Sequence, residues 1–385
     1  MSSIPVSADS ARTLSHAAWG VRAQFFVAGG LFATWGVHVP TVKAHFRLDE
    51  SALALAMLAA GVGALLALLQ AGRLVGRHGP RGVVLATGLA CAVCIAALVA
   101  FDVYVALIGL MLVYGMASSL FDVAINAEAS EIERRSGRAL MSGFHGMFSL
   151  GGMAGAAAGG ALLAAGVGPQ QHLLGAALFG LVVIGAGSAA MLRMEATTAA
   201  GLPLSLPRGA LALIGLLAAL GLIAEGAMYD WSVLYIRQEL HSDAGTAALG
   251  YASFSAAMAA ARFGGDWVRA RLASVLLLRL SGALGAAGMA LALLVPHPIV
   301  ALIGFALVGL GFANVVPVLF SAAARVPGVT PAHGIAAVSS LGYLGMMAGP
   351  PLIGLIAQAQ SLTLGLFTIV LAAVILSLSA KRALP

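Results

Sequence analysis

The sequence predicts an all-α membrane protein with twelve transmembrane helices in two pseudo-symmetric six-helix bundles, and three observations predict it. Hydrophobic residues fill 61% of the 385 positions and charged residues only 9%, with a mean hydropathy of +1.01. A soluble domain carries roughly 45–50% apolar and about 25% charged residues, so this chain has too little polar surface for water. The apolar residues fall into runs of about 20, the length of helix that crosses a hydrocarbon core about 30 Å thick. The two halves of the chain also repeat one another.

Residues 1–17 form a polar segment without the compact basic, apolar and small-residue pattern of a removable signal peptide. Six runs follow at about 18–39, 51–73, 82–101, 104–129, 139–166 and 172–192, giving an N-terminal bundle over 18–192. A linker over 193–208, containing MEATTAAGLPLSLPR, leads to a C-terminal bundle over 209–381. Its runs lie at about 209–236, 245–268, 274–295, 299–325, 333–358 and 361–381. Strand alternation is lacking, and only helices satisfy their own backbone groups in lipid.

LIGLMLV from Leu107 matches LIGFALV from Leu302 at five of seven positions, and LGGMAGAAAGG from Leu150 matches LGMMAGPPLIG from Leu344 at six of eleven. Both offsets, 195 and 194, map the fourth and fifth runs onto the tenth and eleventh. Parallel repeats of this kind recur in transporters.

An even number of crossings places both ends of the chain on one side. Of 20 lysines and arginines, all but Lys43, Arg47 and Arg237 fall on that side. The positive-inside rule therefore puts both termini in the cytoplasm. The net charge of +6 serves topology in this reading; the basic residues form no stripe with interleaved aromatics, so no nucleic-acid partner is expected. Cys91 and Cys94 sit in an apolar run, and two thiols alone do not make a metal site, which needs about four ligands. Plain packing is expected of them, with no metal and no cofactor.

The loop after the second run reads Gly72-Arg-Leu-Val-Gly76-Arg77-His-Gly79-Pro-Arg81. It resembles the signature loop of the major facilitator superfamily, G-x-x-x-D-[RK]-x-G-R-[RK], with Gly76 where the family has its Asp. The equivalent loop of the second half, from Arg262 to Arg269, keeps an acid at Asp266. In the family this loop helps to hold the cytoplasmic side shut. Gly72, Arg77, Gly79, Arg81 and Asp266 are thus the gating-loop candidates. The fifth run carries Gly151, Gly155, Gly159 and Gly160 in a pattern similar to the family's antiporter motif G-x-x-x-G-P-x-x-G-G, with Ala156 in place of the proline. Gly345 and Gly349 stand at the corresponding place in the eleventh. Small residues let helices pack backbone to backbone and slide or bend. The family's proton-coupling arginine is missing from the fourth run. FDVAINA, SGFHGMFSLGG and EGAMYDWSVLY together resemble a little-characterised bacterial branch of the superfamily, which implies an inner-membrane location and names no substrate.

Ionisable groups inside a span usually line a cavity or an ion path. Asp122 and Asn126 are four apart and share a helix face, which Ser118 extends. His145 on the next helix lies at a matching depth, so an Asp122–His145 contact is expected, as a proton-sharing pair or, alternatively, as a helix-to-helix hydrogen bond near the cytoplasmic face. Glu225 is the deeper acid of the seventh run, with Tyr229 one turn later. Proton coupling is expected of Glu225, Asp122 and His145. Asn126, Tyr229, Asp230, Trp231, Asn314 and Trp35 are the pathway candidates. Asp230 has an alternative partner in Arg237, Trp231 an alternative role in the interfacial belt, and Asn314 one as helix-to-helix glue. Arg22 and Gln24 read as anchors or gate residues, His38 as a further pathway residue, and the run Glu128–Arg138 as a solvated loop.

These expectations combine into a secondary active transporter, a monomer in the lipid bilayer that moves a small solute by alternating access with protons. Two forms fit: a symporter of a sugar or another small polar solute, and an efflux antiporter of amphiphilic compounds. No P-loop is present for ATP-driven pumping. An intramembrane aspartyl protease would need Asp230 and Asp266 to share a proton at about 3 Å, yet they fall near opposite ends of successive helices. A channel would show a ring of charge or a carbonyl filter, and the sequence shows neither.

Overall fold

The computed structural model describes residues 8–138, 140–193, 208–329 and 331–384, and among them every regular element is a helix. The first half holds α1 (Ala8–His45), α2 (Glu50–Ala96), α3 (Tyr104–Ser136), α4 (Met141–Ala164) and α5 (Pro169–Ala190). The second holds α6 (Ala210–Gln238), α7 (Ala244–Phe263), the short α8 (Gly265–Arg269), α9 (Ser274–Leu294) and α10 (Pro298–Phe312). It ends with α11 (Val315–Ala323), α12 (Pro331–Ala359) and α13 (Leu362–Ala383).

Ten stretches among the described residues are long and apolar enough to cross a membrane. One of them, α2, crosses twice. Its 47 residues make about 70 Å of helix at 1.5 Å per residue, more than twice the hydrocarbon thickness. Both of its ends lie on one face: the Tyr104 hydroxyl donates to the Ala52 carbonyl at 2.7 Å, and His45 Nε2 lies 2.8 Å from the Phe101 carbonyl oxygen. The reversal occurs at Gly79, whose φ of 70° and ψ of 155° suit glycine alone, with Pro80 beyond it. The twelfth crossing is α7, 20 residues diluted by Thr, Ser and Tyr. A single crossing, broken at Ala313–Asn314, is made by α10 and α11. Twelve crossings therefore form two bundles of six. We call the face that carries both ends of the chain the basic face and the opposite one the far face.

The two bundles meet along a seam in which α1 faces α6, α4 faces α7 and α2 faces α12. The seam shapes α6, which is buried without interruption from Ala224 to Ile236. Glycines set the closest approaches within the first bundle. A β-carbon on Gly29 would stand 1.9 Å from the Phe148 carbonyl oxygen, and one on Gly151 would stand 1.9 Å from that of Phe26. Gly155 meets Gly30 in the same way, while Gly159 lies against His172 and Gly160 against Ala248 of α7. In the second half Gly345 and Gly349 lie against Ala219 and Ile223 of α6. These glycines sit at helix crossings, and α4 runs through its own glycines unbroken.

Several expectations are corrected. The break between the second and third crossings is a single glycine, so Gly72, Arg77 and Arg81 sit on helix rather than in a loop. The run Glu128–Arg138 is no solvated loop, because α3 continues to Ser136 and Glu128 is fully buried. The start of a helix leaves free N–H groups that favour a negative charge, and Glu133 satisfies two of them, while Glu128 accepts from a backbone N–H beyond a helix C-terminus. Glu133 accepts from the N–H of Leu140 at 2.6 Å and of Met141 at 2.9 Å, at the start of α4. Glu128 accepts from the N–H of Leu192 at 2.5 Å, just past the end of α5. Hydrogen bonds from Arg134 and then Arg135 hold the Glu131 carboxyl below its ordinary value. The linker residues 194–207 and the Asp266 side chain lie outside what the structure describes.

Gly151 offers a test of the packing. Gly151→Ala is expected to lower the stability of the detergent-purified protein by about 1–3 kcal/mol, the usual effect of overpacking, read as a fall in the thermal unfolding midpoint. Gly185→Ala, where a β-carbon meets nothing within 4 Å, is expected to leave the midpoint unchanged or slightly raised, since alanine is the better helix former.

Candidate functional site

Midway along the seam, three side chains from three helices converge. Tyr229, one turn after Glu225 on α6, donates its hydroxyl to Glu225 Oε1 at 3.0 Å. From α7, Arg262 Nη2 reaches the same oxygen at 2.9 Å, and its Nη1 donates to Ser149 Oγ of α4 at 2.8 Å. The ion pair is buried, with 15% of the Arg262 side chain and 10% of the Glu225 side chain exposed. A buried charge needs a partner, because desolvation of an isolated ion is far more costly than any single contact can offset. Here the partner comes from the next helix, and the remaining donor crosses to the other bundle.

Aromatic rings wall this network. Tyr229 packs edge-on to Phe32 of α1 at 5.4 Å and to Phe254 of α7 at 5.3 Å, and lies 5.2 Å from Tyr251. His145 sits one turn before Ser149 on α4, its ring edge-on to Phe25 at 5.2 Å, within electrostatic reach of Arg262 and Glu225.

A second polar spot lies on α3. Asn126 Nδ2 donates to the Asp122 backbone carbonyl at 2.9 Å and to its Oδ1 at 3.1 Å. Asp122 borders a cavity of about 60 Å³ that also touches Ser118, Tyr114 and Phe32. From the second bundle, Tyr343 of α12 lies within electrostatic reach of Asp122.

Toward the far face the seam is closed. Trp35 Nε1 of α1 donates to Asp230 Oδ1 of α6 at 3.1 Å, and both residues are under 10% exposed. Lys43 at the end of α1 binds Glu50 at 2.5 Å and Gln238 of α6 at 3.1 Å. Gly36 of α1 leaves room for the Tyr229 backbone and the Tyr251 ring.

The structure thus brings Glu225 and Tyr229 together and sets His145 beside them rather than beside Asp122. The expected Asp122–His145 bond is not formed: Asp122 bonds Asn126, and the His145 ring turns toward Phe25. Asp230 bonds Trp35, while Arg237 donates to the Ser242 carbonyl instead. Trp231 is fully buried, its indole N–H without a partner among the described residues, so it has no place in an interfacial belt. Asn314 sits in the break between α10 and α11, its Oδ1 close to Gly265, away from the Glu225 network. Gln24 is glue within the first bundle, donating to the Ile184 carbonyl at 3.0 Å and Ser188 Oγ at 3.1 Å. His38 pairs with His172 at 2.8 Å inside the same bundle, and Arg22 lies over the rings of Trp19 and Phe144.

Arg262 and Ser149 are the residues that sequence reasoning missed. Counted as one more basic anchor at a helix end, Arg262 was indistinguishable from Arg269 or Arg271. Its signal was periodicity: Tyr251, Ser255, Met258 and Arg262 fall at helical spacing on one face of α7, a polar stripe inside an apolar helix.

Two six-helix halves that meet on a buried charged network, closed toward one face, make a membrane transporter rather than an enzyme. A family model for the Major Facilitator Superfamily matches residues 22–350, and the chain belongs to that superfamily. It is 35% identical to an uncharacterised MFS-type transporter of Yersinia pestis, over 94% of each chain. It is 31% identical to the membrane protein MosC of Rhizobium meliloti, over 93% of this chain and 88% of that one. Among solved structures, a D-xylose–proton symporter superposes with a TM-score of 0.77 at 13% identity, covering 96% of this chain and 98% of its own.

The ion pair is testable by a double-mutant cycle. Glu225→Ala and Arg262→Ala are each expected to destabilise by about 3–5 kcal/mol, the usual effect of stranding a buried charge. The double variant is expected to be more stable than either single one, as read by thermal or denaturant unfolding in detergent.

Proposed function

We propose that this protein is a proton-coupled secondary transporter that moves a small solute across the bacterial inner membrane, with both chain ends in the cytoplasm. The observation that carries the reading is the link from Ser149 through Arg262 to Glu225, which ties a titratable acid to the contact between the two bundles. Protonation of Glu225 removes the charge that holds Arg262. The guanidinium then loses its partner in α6, and the bond across the seam is re-made or released with it. A proton that arrives at Glu225 thereby shifts the balance between arrangements of the two halves, as a ligand does when it prefers one conformation. His145, beside the pair, is the second group of this relay. Asp122, separated from His145, belongs to the solute pathway. Support for proton coupling also comes from the D-xylose–proton symporter, whose fold this chain shares.

The far-face contacts supply the gate. Trp35–Asp230 and Lys43–Gln238 both join α1 to α6, so separating these helices opens the route to the far face. The placement of the basic residues makes that face periplasmic, with the join between the bundles within 193–208.

A thermal-shift screen of small polar solutes on the purified protein supplies the substrate. In proteoliposomes an imposed pH gradient is expected to drive its accumulation, and Glu225→Gln is expected to abolish accumulation while leaving counterflow exchange. Coupled flux that survives Glu225→Gln unchanged sinks the assignment. Orientation has its own check: a green fluorescent protein fused to the C-terminus is expected to fluoresce, and an alkaline phosphatase fused there to stay inactive.

A further inference from the structure

The cavity beside Asp122 identifies the kind of solute. Its walls come from α1, α2, α3 and α4, and four of its lining residues are aromatic: Phe32, Tyr114, Phe121 and Phe148. Asp122 is the one charged residue on that wall, and Ser118 and Tyr114 are its only other polar side chains apart from the Cys91 thiol. Among the described residues Asp122 receives a side-chain donor from Asn126, and no described lysine, arginine or histidine makes an ion pair with it. Glu225, the acid midway along the seam, is matched by Arg262. A carboxyl group with no cation beside it among the described residues therefore faces a cavity whose other walls are largely rings, and a bound cation would hold it ionised.

This combination selects among ligands. An anion would meet like charge. A neutral polyol would leave most of its hydroxyls against hydrocarbon, since the wall has few polar groups to replace its water, and each unmade hydrogen bond costs about 1–3 kcal/mol. A cation gains on both counts. The carboxylate offers an opposite charge at low dielectric, and ring faces attract cations within about 6 Å of their centroids, more strongly once water is excluded. At about 60 Å³ the space holds a few water-sized groups. That fits a charged head rather than a whole solute, whose remainder would extend into the seam toward Tyr343 of the opposite bundle.

We propose that Asp122 anchors the ammonium group of a small organic cation, with Phe32, Tyr114, Phe121 and Phe148 enclosing its head. The assignment rests on the transporter reading above and names the substrate class of the same pathway, but it does not depend on Glu225 carrying the proton.

The test is binding to the purified full-length protein in detergent, which needs no gradient. Choline and n-butylammonium are the probes; 3,3-dimethylbutan-1-ol and n-butanol copy their shapes without charge. The cations are expected to raise the unfolding midpoint and to give a saturable calorimetric signal, and the alcohols to give neither. Asp122→Asn is expected to weaken cation binding at least tenfold, Asp122→Glu to restore part of it, and Gly185→Ala, whose added carbon meets nothing within 4 Å, to leave it in place. Should Asp122→Asn fail to fold, Phe32→Leu and Phe148→Leu decide the matter, each expected to weaken binding several-fold. Equal binding of cations and alcohols, or cation binding unchanged in the Asp122 or Phe variants, overturns the proposal. Loss of coupling in Glu225→Gln with cation binding intact supports both readings. Intact coupling with intact cation binding removes only the proton assignment.

Discussion

Arg262 holds Glu225 with one terminal nitrogen and Ser149 with the other, and the centre of the protein is organised around that guanidinium. In a hydrocarbon setting neither charge is tolerable alone, so the pair fixes the relative rotation of α6 and α7. The bond to Ser149 then registers the second bundle on the first. The rings of Tyr229, Phe32, Tyr251 and Phe254 exclude water around it, which strengthens the attraction. Among the described residues Glu225 is the one anion that Arg262 binds directly, so each of these relations depends on the charge of that acid.

The architecture was legible because the bilayer imposes a length and a polarity on each crossing. Runs of about twenty apolar residues, an even count and a lopsided distribution of arginine gave the same answer, and the internal repeat joined the halves. Boundaries were less legible where polar residues continue a helix beyond the hydrocarbon. Glu128, Glu131 and Glu133 read as a water-facing stretch, since hydropathy cannot distinguish an exposed acid from one that terminates neighbouring helices. Gly79 and Pro80 read as a loop, though the reversal needs only one residue.

The site was legible in part. Depth along a helix singled out Glu225, and a spacing of four placed Tyr229 with it. Depth alone paired Asp122 with His145 incorrectly, because helices that follow one another in sequence need not turn the same faces together: His145 lies beside Arg262 and Glu225, and Asp122 borders a separate cavity walled by α1 to α4. Asp230 and Trp231 were read as pathway residues, with Arg237 and the interfacial belt as their alternatives. Trp35 of α1 takes up Asp230 instead, and Trp231 is buried against Gly354 of α12, contacts between helices that no single-helix pattern encodes. Arg262 was hidden by its place at a helix end, where a long side chain can fold back into the protein rather than outward.

The acids at the end of α3 have a mechanical consequence. Glu133 grips the first turn of α4 and Glu128 the exit of α5, while Gly79 reverses the chain between the second and third crossings without slack. Three connections between crossings are thereby held in place. In the other bundle α10 and α11 part at Asn314, and α12 carries Pro350 and Pro351 within its length. A cycle that bends a crossing would find its weak points in that second repeat.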